Sequence, residues 1–77
     1  MITLFSKPNC KPCMELKMWF KNKQIEYQEQ DLYANLDNLI SMGFQSAPVV
    51  LINDTYIAGN NISNVREALN RNGYTVS

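Results

Sequence analysis

Apolar and polar positions follow one another along the chain with two different periodicities. Short runs rich in β-branched and aromatic residues predict strands, and apolar side chains that recur every three or four positions predict helices. The segments follow the order β-α-β-α-β-β-α. We expect strands at residues 2–5, 25–30, 48–52 and 55–58, and helices at residues 12–21, 33–42 and 62–72.

Residues with positional preferences mark the ends of the predicted helices. Pro12 suits a first turn, where the missing N–H is tolerated. Asp31 is a candidate N-cap for the second helix, and Gly43 and Gly73 are expected to end the second and third helices. The apolar side chains expected on the buried faces of these two helices are Leu36, Leu39 and Ile40, and Ile62, Val65, Ala68 and Leu69.

The order of elements also predicts how the strands pair. A strand–helix–strand opening implies a right-handed crossover and a parallel pair of strands. The two-residue turn at Asn53 and Asp54 predicts a closing antiparallel hairpin. We therefore expect an α/β fold in which a mixed four-stranded sheet is flanked by three helices. The length of 77 residues fits a single domain over residues 1–77.

Charge and hydropathy exclude several classes of partner. Seven basic residues balance seven acidic ones, which gives no reason to expect nucleic acid or an anionic membrane as partner. The longest apolar stretch, residues 47–52, is far shorter than the roughly 20 residues that span a bilayer. Residues 1–5 lack the features of a signal peptide. We expect a cytoplasmic monomer.

The chain contains only two cysteines, Cys10 and Cys13, and no histidine. A bridge between them closes too short a loop to stabilise the fold, so the pair is better interpreted as a reversible dithiol. Cys10 lies at the predicted start of a helix, where free N–H groups and the helix dipole favour a thiolate. Lys7 and Lys11 add positive charge. We expect Cys10 to attack a substrate disulfide and Cys13 to resolve the mixed disulfide.

The cysteine pair is open to three other interpretations. A structural zinc site needs four ligands, so only a dimer would supply them, and the same holds for an iron–sulfur cluster shared between subunits. Two buried cysteines at a chance spacing are a third alternative. A Cys-x-x-Cys pair beside a βαβ pattern favours redox chemistry. We therefore expect no bound metal.

Two further segments carry candidate functions. Pro48, at the start of a predicted buried strand, either occupies a tolerated strand position or, if its peptide bond is cis, places its loop against the cysteine pair. The turn Gly59-Asn60-Asn61 is a helix N-cap, at Asn60 or Asn61, or an anion site that holds a carboxylate. Packing, rather than a binding surface, is expected for the aromatic residues Trp19, Tyr27, Tyr33, Phe44 and Tyr56.

These motifs together resemble the glutaredoxin group of the thioredoxin superfamily over nearly the whole chain. The resemblance is carried by residues 10–13 (Cys-Lys-Pro-Cys) after a strand, residues 46–50 (Ser-Ala-Pro-Val-Val) after a helix, and Gly59 before the last helix. Residues 42–50 are similar to the segment of NrdH-redoxins that runs through a cis-proline. NrdH-redoxins are small glutaredoxin-like proteins that thioredoxin reductase reduces and that donate electrons to ribonucleotide reductase.

The resemblance implies a thioredoxin fold and a dithiol–disulfide oxidoreductase without a bound cofactor. Its electrons would come from NADPH through a reductase, and its target would be ribonucleotide reductase. It also implies a cis Pro48, with Ala47 offering its backbone to the substrate chain. The residues expected to contact substrate are Lys7, Lys11, Pro12, Ala47, Pro48, Gly59, Asn60 and Asn61.

A glutathione-dependent glutaredoxin is the alternative within the same group. Lys7 matches a lysine of those proteins that contacts a glutathione carboxylate. Asn60 and Asn61 stand where they have Cys-Asp, so an expected partner for the glutathione ammonium is missing. The pair Lys11-Pro12 is closer to the Gly-Pro of thioredoxin than to the usual NrdH-redoxin residues. A non-catalytic binding module and a metal-bridged dimer remain as alternatives of other classes.

Overall fold

The computed structural model describes residues 1–76, so Ser77, the last residue of the expected domain, lies outside it. The elements follow the predicted order, with one short 3-10 helix before the second α-helix. They are β1 (Ile2–Ser6), α1 (Lys11–Asn22), β2 (Gln28–Asp31), the 3-10 helix (Tyr33–Asn35), α2 (Leu36–Ser41), β3 (Val49–Ile52), β4 (Thr55–Ala58) and α3 (Ile62–Arg71).

The four strands form one mixed sheet in the order β2-β1-β3-β4. β1 runs parallel to β2 and antiparallel to β3, and β3 and β4 form the antiparallel hairpin. Side chains alternate across β1 because successive residues of a strand point to opposite faces. Leu4 belongs to a core cluster with residues of α1 and α3, whereas Phe5 belongs to a second cluster with Leu39 of α2. The predicted fold class is confirmed.

The second strand begins three residues later than predicted. Gln24 adopts a left-handed backbone conformation (φ 58°), and the N–H of Ile25 donates to the carbonyl of Phe20 over 2.9 Å. Such a bond closes the end of a helix. The backbone of Ile25 therefore ends α1 instead of pairing in the sheet, although Ile25 and Tyr27 still pack on the core.

The second predicted helix is divided, which the periodicity did not indicate. Asp31 accepts a hydrogen bond from the N–H of Tyr33 over 3.3 Å. The N-cap residue is Leu32 for the 3-10 helix and Asn35 for α2, so the predicted N-cap role of Asp31 is wrong. Asn35 then leaves helical geometry (φ −118°, ψ 14°) before α2 starts. Within the short α2, Leu39 is fully buried and Leu36 partly so. Ile40 does not pack against the cluster that Leu36 and Leu39 contact and is 48% exposed, so its predicted burial is wrong.

The last part of the chain follows the prediction closely. Asn53 takes a left-handed conformation (φ 54°) in the turn of the hairpin. The side-chain oxygen of Asn61 accepts from the N–H of Ser63 over 3.0 Å, so Asn61, not Asn60, is the N-cap of α3. No helix in the described part of the chain has the length and apolarity needed to cross a membrane.

Most of the aromatic residues pack as expected. Trp19 and Tyr27 lie against the cluster shared by α1 and α3, and Phe44 and Tyr56 lie against the α2 cluster. Tyr33 is 58% exposed because it sits on the 3-10 helix, which buries none of its residues. The packing prediction is wrong for this residue.

Candidate active site

The two cysteines lie at the start of α1, after the short loop that follows the central strand β1. Cys10 is the N-cap residue of α1, with an extended backbone (φ −112°, ψ 106°), and its Sγ accepts from the N–H of Cys13 over 3.2 Å. The two residues form a disulfide, with their Cα atoms 5.3 Å apart. Cys10 is 5% exposed and Cys13 is 1% exposed. Cys10 is therefore the more accessible of the two, although both are buried.

The charge around Cys10 favours an anionic sulfur in the reduced pair. The first turn of α1 contains no acidic residue, and Lys11 and Pro12 are its first two residues. The unpaired N–H groups of a helix start carry a partial positive charge, which stabilises a thiolate held there. The N–H of Cys13, which already points at Sγ of Cys10, supplies that contact directly. A nucleophilic cysteine needs such an electropositive setting.

Both cysteines belong to the apolar cluster on the α2 side of the sheet. The other buried members of this cluster are Phe5, Leu32, Leu39, Ala47 and Val49. Water is displaced from the inner side of the pair, and hydrogen bonds are stronger where the local dielectric constant is low. On this inner side of the pair, water therefore screens the interaction between Cys10 and the helix N–H groups only weakly.

The loop before β3 lies in the same cluster. The Ala47–Pro48 peptide bond is cis, as the resemblance implied. Ala47 is 8% exposed and packs in the cluster that contains both cysteines. The structure thus brings Ala47 together with the redox pair, and Pro48 follows it as a fully buried residue.

Gly59 links this loop to α1. Its N–H donates to the carbonyl of Pro48 over 2.8 Å. A Cβ atom at position 59 would lie 2.9 Å from Cδ2 of Leu16 and 3.1 Å from both Cγ of Pro48 and Cγ2 of Val50. All three neighbours are fully buried, so none moves aside easily. The structure gives Gly59 a packing role between the Pro48 loop and α1, in addition to the substrate contact that the resemblance implied.

The remaining predicted contact residues lie on the surface. Lys7, Lys11, Pro12 and Asn60 are exposed. Within residues 1–76, no side-chain hydrogen bond or ion pair involves Lys7, Lys11 or Asn60. These side chains are available to a ligand, whereas the side-chain oxygen of Asn61 is already used by the cap of α3.

A polar cluster beside α1 was not indicated by any sequence pattern. The Lys17 ammonium lies 2.5 Å from Oε2 of Glu29, and the buried hydroxyl of Ser6 donates to the same oxygen over 2.6 Å. The hydrogen bond from Lys17 has the larger effect and the one from Ser6 the smaller, and together they hold the pKa of Glu29 below its usual 4.5. Burial acts in the opposite direction. The cluster joins α1 to the sheet one helical turn beyond Cys13. Only the parallel register of β1 and β2 brings Glu29 there, so local spacing had no signal for it.

Comparison with protein families gives an independent result. The family model described as glutaredoxin matches residues 2–57. The glutaredoxin-like protein NrdH of Lactococcus lactis is 32% identical over 62 residues, which cover 77% of this chain and 86% of that protein.

Solved structures share the fold. A variant of the thioredoxin-like protein BC3987 superposes with a TM-score of 0.79 at 27% identity, covering 90% of this chain and 99% of that one. The NrdH-redoxin of Escherichia coli superposes with a TM-score of 0.78 at 20% identity, covering 86% of this chain and 91% of that one. The second likeness concerns the fold alone.

Replacing Gly59 with alanine should destabilise the protein by about 1–3 kcal/mol, since the added methyl group overpacks a buried junction. Urea unfolding measures the loss. In a double-mutant cycle, Leu16→Val should recover part of it because Leu16 is the nearest neighbour of the new methyl group. Strict additivity of the two substitutions would show that the contact is absent.

The Glu29 cluster should make stability depend on pH in the acid range. A lowered pKa in the folded state means that Glu29 contributes stability above its unfolded pKa, near 4.5, and that this is lost as pH falls through the lower folded pKa. The stability difference between parent and Glu29→Gln should therefore shrink below about pH 4.5. The difference at pH 7 should be under about 1 kcal/mol because the side chain is 44% exposed.

Urea unfolding measures this dependence between about pH 3 and about pH 7, a range that includes the ordinary carboxyl pKa. Lys17→Gln should remove most of the same pH-dependent part. Lys23→Gln is the matched control, since Lys23 makes no ion pair with a described carboxylate. Equal pH profiles for the parent and Lys17→Gln would contradict the assignment.

Proposed function

Because the chain belongs to the glutaredoxin family and is a thiol–disulfide oxidoreductase, we propose that it is an electron donor of the NrdH-redoxin kind. In this role Cys10 and Cys13 reduce a protein disulfide, thioredoxin reductase restores the dithiol with electrons from NADPH, and ribonucleotide reductase is the target. The observation that carries the proposal is the placement of Sγ of Cys10 on the free N–H groups at the start of α1.

The proposed reaction has two exchange steps. The Cys10 thiolate attacks one sulfur of the substrate disulfide, forming a mixed disulfide and releasing the other substrate sulfur as a thiolate, which takes up a proton. Cys13 then loses its proton and attacks Sγ of Cys10. The bond between Cys10 and the substrate breaks, and the second substrate thiol leaves. Two electrons pass to the substrate, and the Cys10–Cys13 disulfide remains.

Features of the surface support thioredoxin reductase over glutathione as the reductant. Lys7 is exposed and suits one carboxylate of glutathione. The turn before α3 contains no acidic residue, and the side chain of Asn61 caps the helix. A glutathione ammonium would find no carboxylate at this turn. The match to the NrdH protein of Lactococcus lactis covers 86% of that protein, which supports the same choice.

This role also fits a particular cellular setting. Its own residues carry the electrons, so no bound cofactor is required. A dithiol that must be restored after every turnover fits a reducing compartment, and we place the protein in the cytoplasm. Reduction of ribonucleotide reductase would connect it to deoxyribonucleotide synthesis.

A coupled NADPH-oxidation assay with insulin as the disulfide substrate tests the choice of reductant. One reaction contains thioredoxin reductase, and the other contains glutathione with glutathione reductase. We expect turnover with thioredoxin reductase and, since the ammonium has no acidic partner, at most a tenth of that rate with glutathione. The Cys10→Ser variant is the control for background reduction. Turnover with glutathione alone would identify a glutathione-dependent glutaredoxin instead.

The two cysteine variants test the order of attack. Cys13→Ser should accumulate a mixed disulfide with the substrate because no thiol remains to resolve it, and Cys10→Ser should form none. Intact-mass measurement under non-reducing conditions detects the adduct. If Cys13→Ser reduced substrate at the parent rate without glutathione, Cys13 would not be the resolving thiol.

A further inference from the structure

One face of α1 carries an exposed row of four side chains that starts beside the redox pair. Lys11, Met14, Met18 and Lys21 are spaced three, four and three residues apart, which places them along one side of a helix. All four are exposed, Met14 by 61% and Met18 by 64%. The buried residues Cys13, Leu16 and Phe20 occupy the opposite side. We call this row the α1 stripe.

The two methionines give the α1 stripe an apolar centre. They lie one turn apart, are largely exposed to solvent, and are not among the buried residues of α1. Methionine side chains are flexible and polarisable, and they adapt to differently shaped partners. An apolar pair of this kind next to a reactive sulfur provides contact area for a protein substrate.

The neutral net charge conceals a segregation of charges along the chain. Residues 7–23 hold five of the seven basic residues and one acidic residue. Residues 24–57 hold five of the seven acidic residues and no basic residue. Within the described part of the chain, Lys17 is the lysine that forms an ion pair. Lys11 and Lys21, at the two ends of the stripe, therefore keep their charge free for a partner.

We propose that the α1 stripe docks an acidic segment with apolar side chains on the protein that carries the substrate disulfide. The inference rests on the proposed function for the exchange chemistry at Cys10. A protein whose disulfide reaches Cys10 also covers the start of α1, because the helix begins at the next residue. Carboxylates of the segment pair with the terminal lysines, and its apolar side chains cover the methionines. Complementary charge speeds encounter and fixes orientation.

The test measures reduction of synthetic peptides by the pre-reduced full chain. Three peptides carry the same intramolecular disulfide and a flanking segment of equal length. The first segment combines aspartate and leucine, the second glutamine and leucine, and the third aspartate and serine. In a single turnover each peptide disulfide gains two electrons and two protons from Cys10 and Cys13. Acid quenching and chromatography count the peptide thiols that form.

We expect the aspartate–leucine peptide to react at least about tenfold faster than the other two at low salt. The advantage over the glutamine peptide should fall as salt shortens the screening length from about 30 Å at 0.01 M to about 3 Å at 1 M. Equal rates for the three peptides would overturn the proposal.

Variants on the stripe locate the effect. Lys21→Gln should slow the aspartate–leucine peptide about two- to fivefold, and Met18→Gln should reduce the advantage of leucine over serine by a similar factor. Both should reduce hydroxyethyl disulfide, a small neutral substrate, at the parent rate. Lys23→Gln removes the same charge just past the end of α1 and is the matched control.

An equal loss in Lys21→Gln and Lys23→Gln would show a diffuse charge effect and overturn the stripe as the docking surface. Normal reduction of hydroxyethyl disulfide without peptide selectivity would remove the docking surface and leave the exchange mechanism intact. Failure of the parent on hydroxyethyl disulfide as well would overturn the exchange mechanism, and the docking surface with it.

Discussion

The redox site depends on the free N–H groups at the start of α1. Sγ of Cys10 accepts from the N–H of Cys13, so the sulfur itself caps the helix. The contact is local to the start of α1, and the packing of α1 on the sheet decides where this sulfur lies in the fold. Leu16 and Phe20 fix the helix on one face of the sheet, and the Lys17–Glu29 pair fixes it to the edge strand. The ordinary packing of a small α/β protein thereby sets the position of this sulfur.

The site is assembled from distant parts of the chain through a single tight junction. Gly59, just after β4, bonds to the carbonyl of Pro48 and leaves no room for a side chain against Leu16. These contacts fix the position of the Pro48 loop relative to α1. Ala47 then shares a cluster with Cys10. The position of Ala47 beside Cys10 and the packing of the core therefore depend on the same contacts.

Sequence patterns predicted the elements well where one local signal decides the structure. The helix that starts after Cys10 and the hairpin around Asn53 follow from capping and turn preferences, and both are confirmed. The patterns failed where contacts between elements decide. Asn35 interrupts a continuous helical periodicity, and the late start of β2 reflects how Ile25 closes α1.

The candidate site was predictable to a similar degree. The Cys-x-x-Cys spacing at a strand–helix junction identified the reactive pair from local chemistry. Contacts that depend on the register of two parallel strands could not be predicted from local sequence, since Ser6 and Glu29 are 23 residues apart. The packing role of Gly59 likewise depends on a helix and a loop that are remote from it in sequence.

The burial of Cys10 and Cys13 in an apolar cluster has a thermodynamic consequence. Folding and disulfide formation share one cycle, so the reduction potential of the pair in the folded protein differs from that in the unfolded chain by the difference in unfolding free energy between the two redox forms. For two electrons, about 30 mV corresponds to about 1.4 kcal/mol. Leu39 and Val49 pack in the same cluster as both cysteines. A core substitution there that stabilises one redox form more than the other therefore also shifts the reduction potential of the pair.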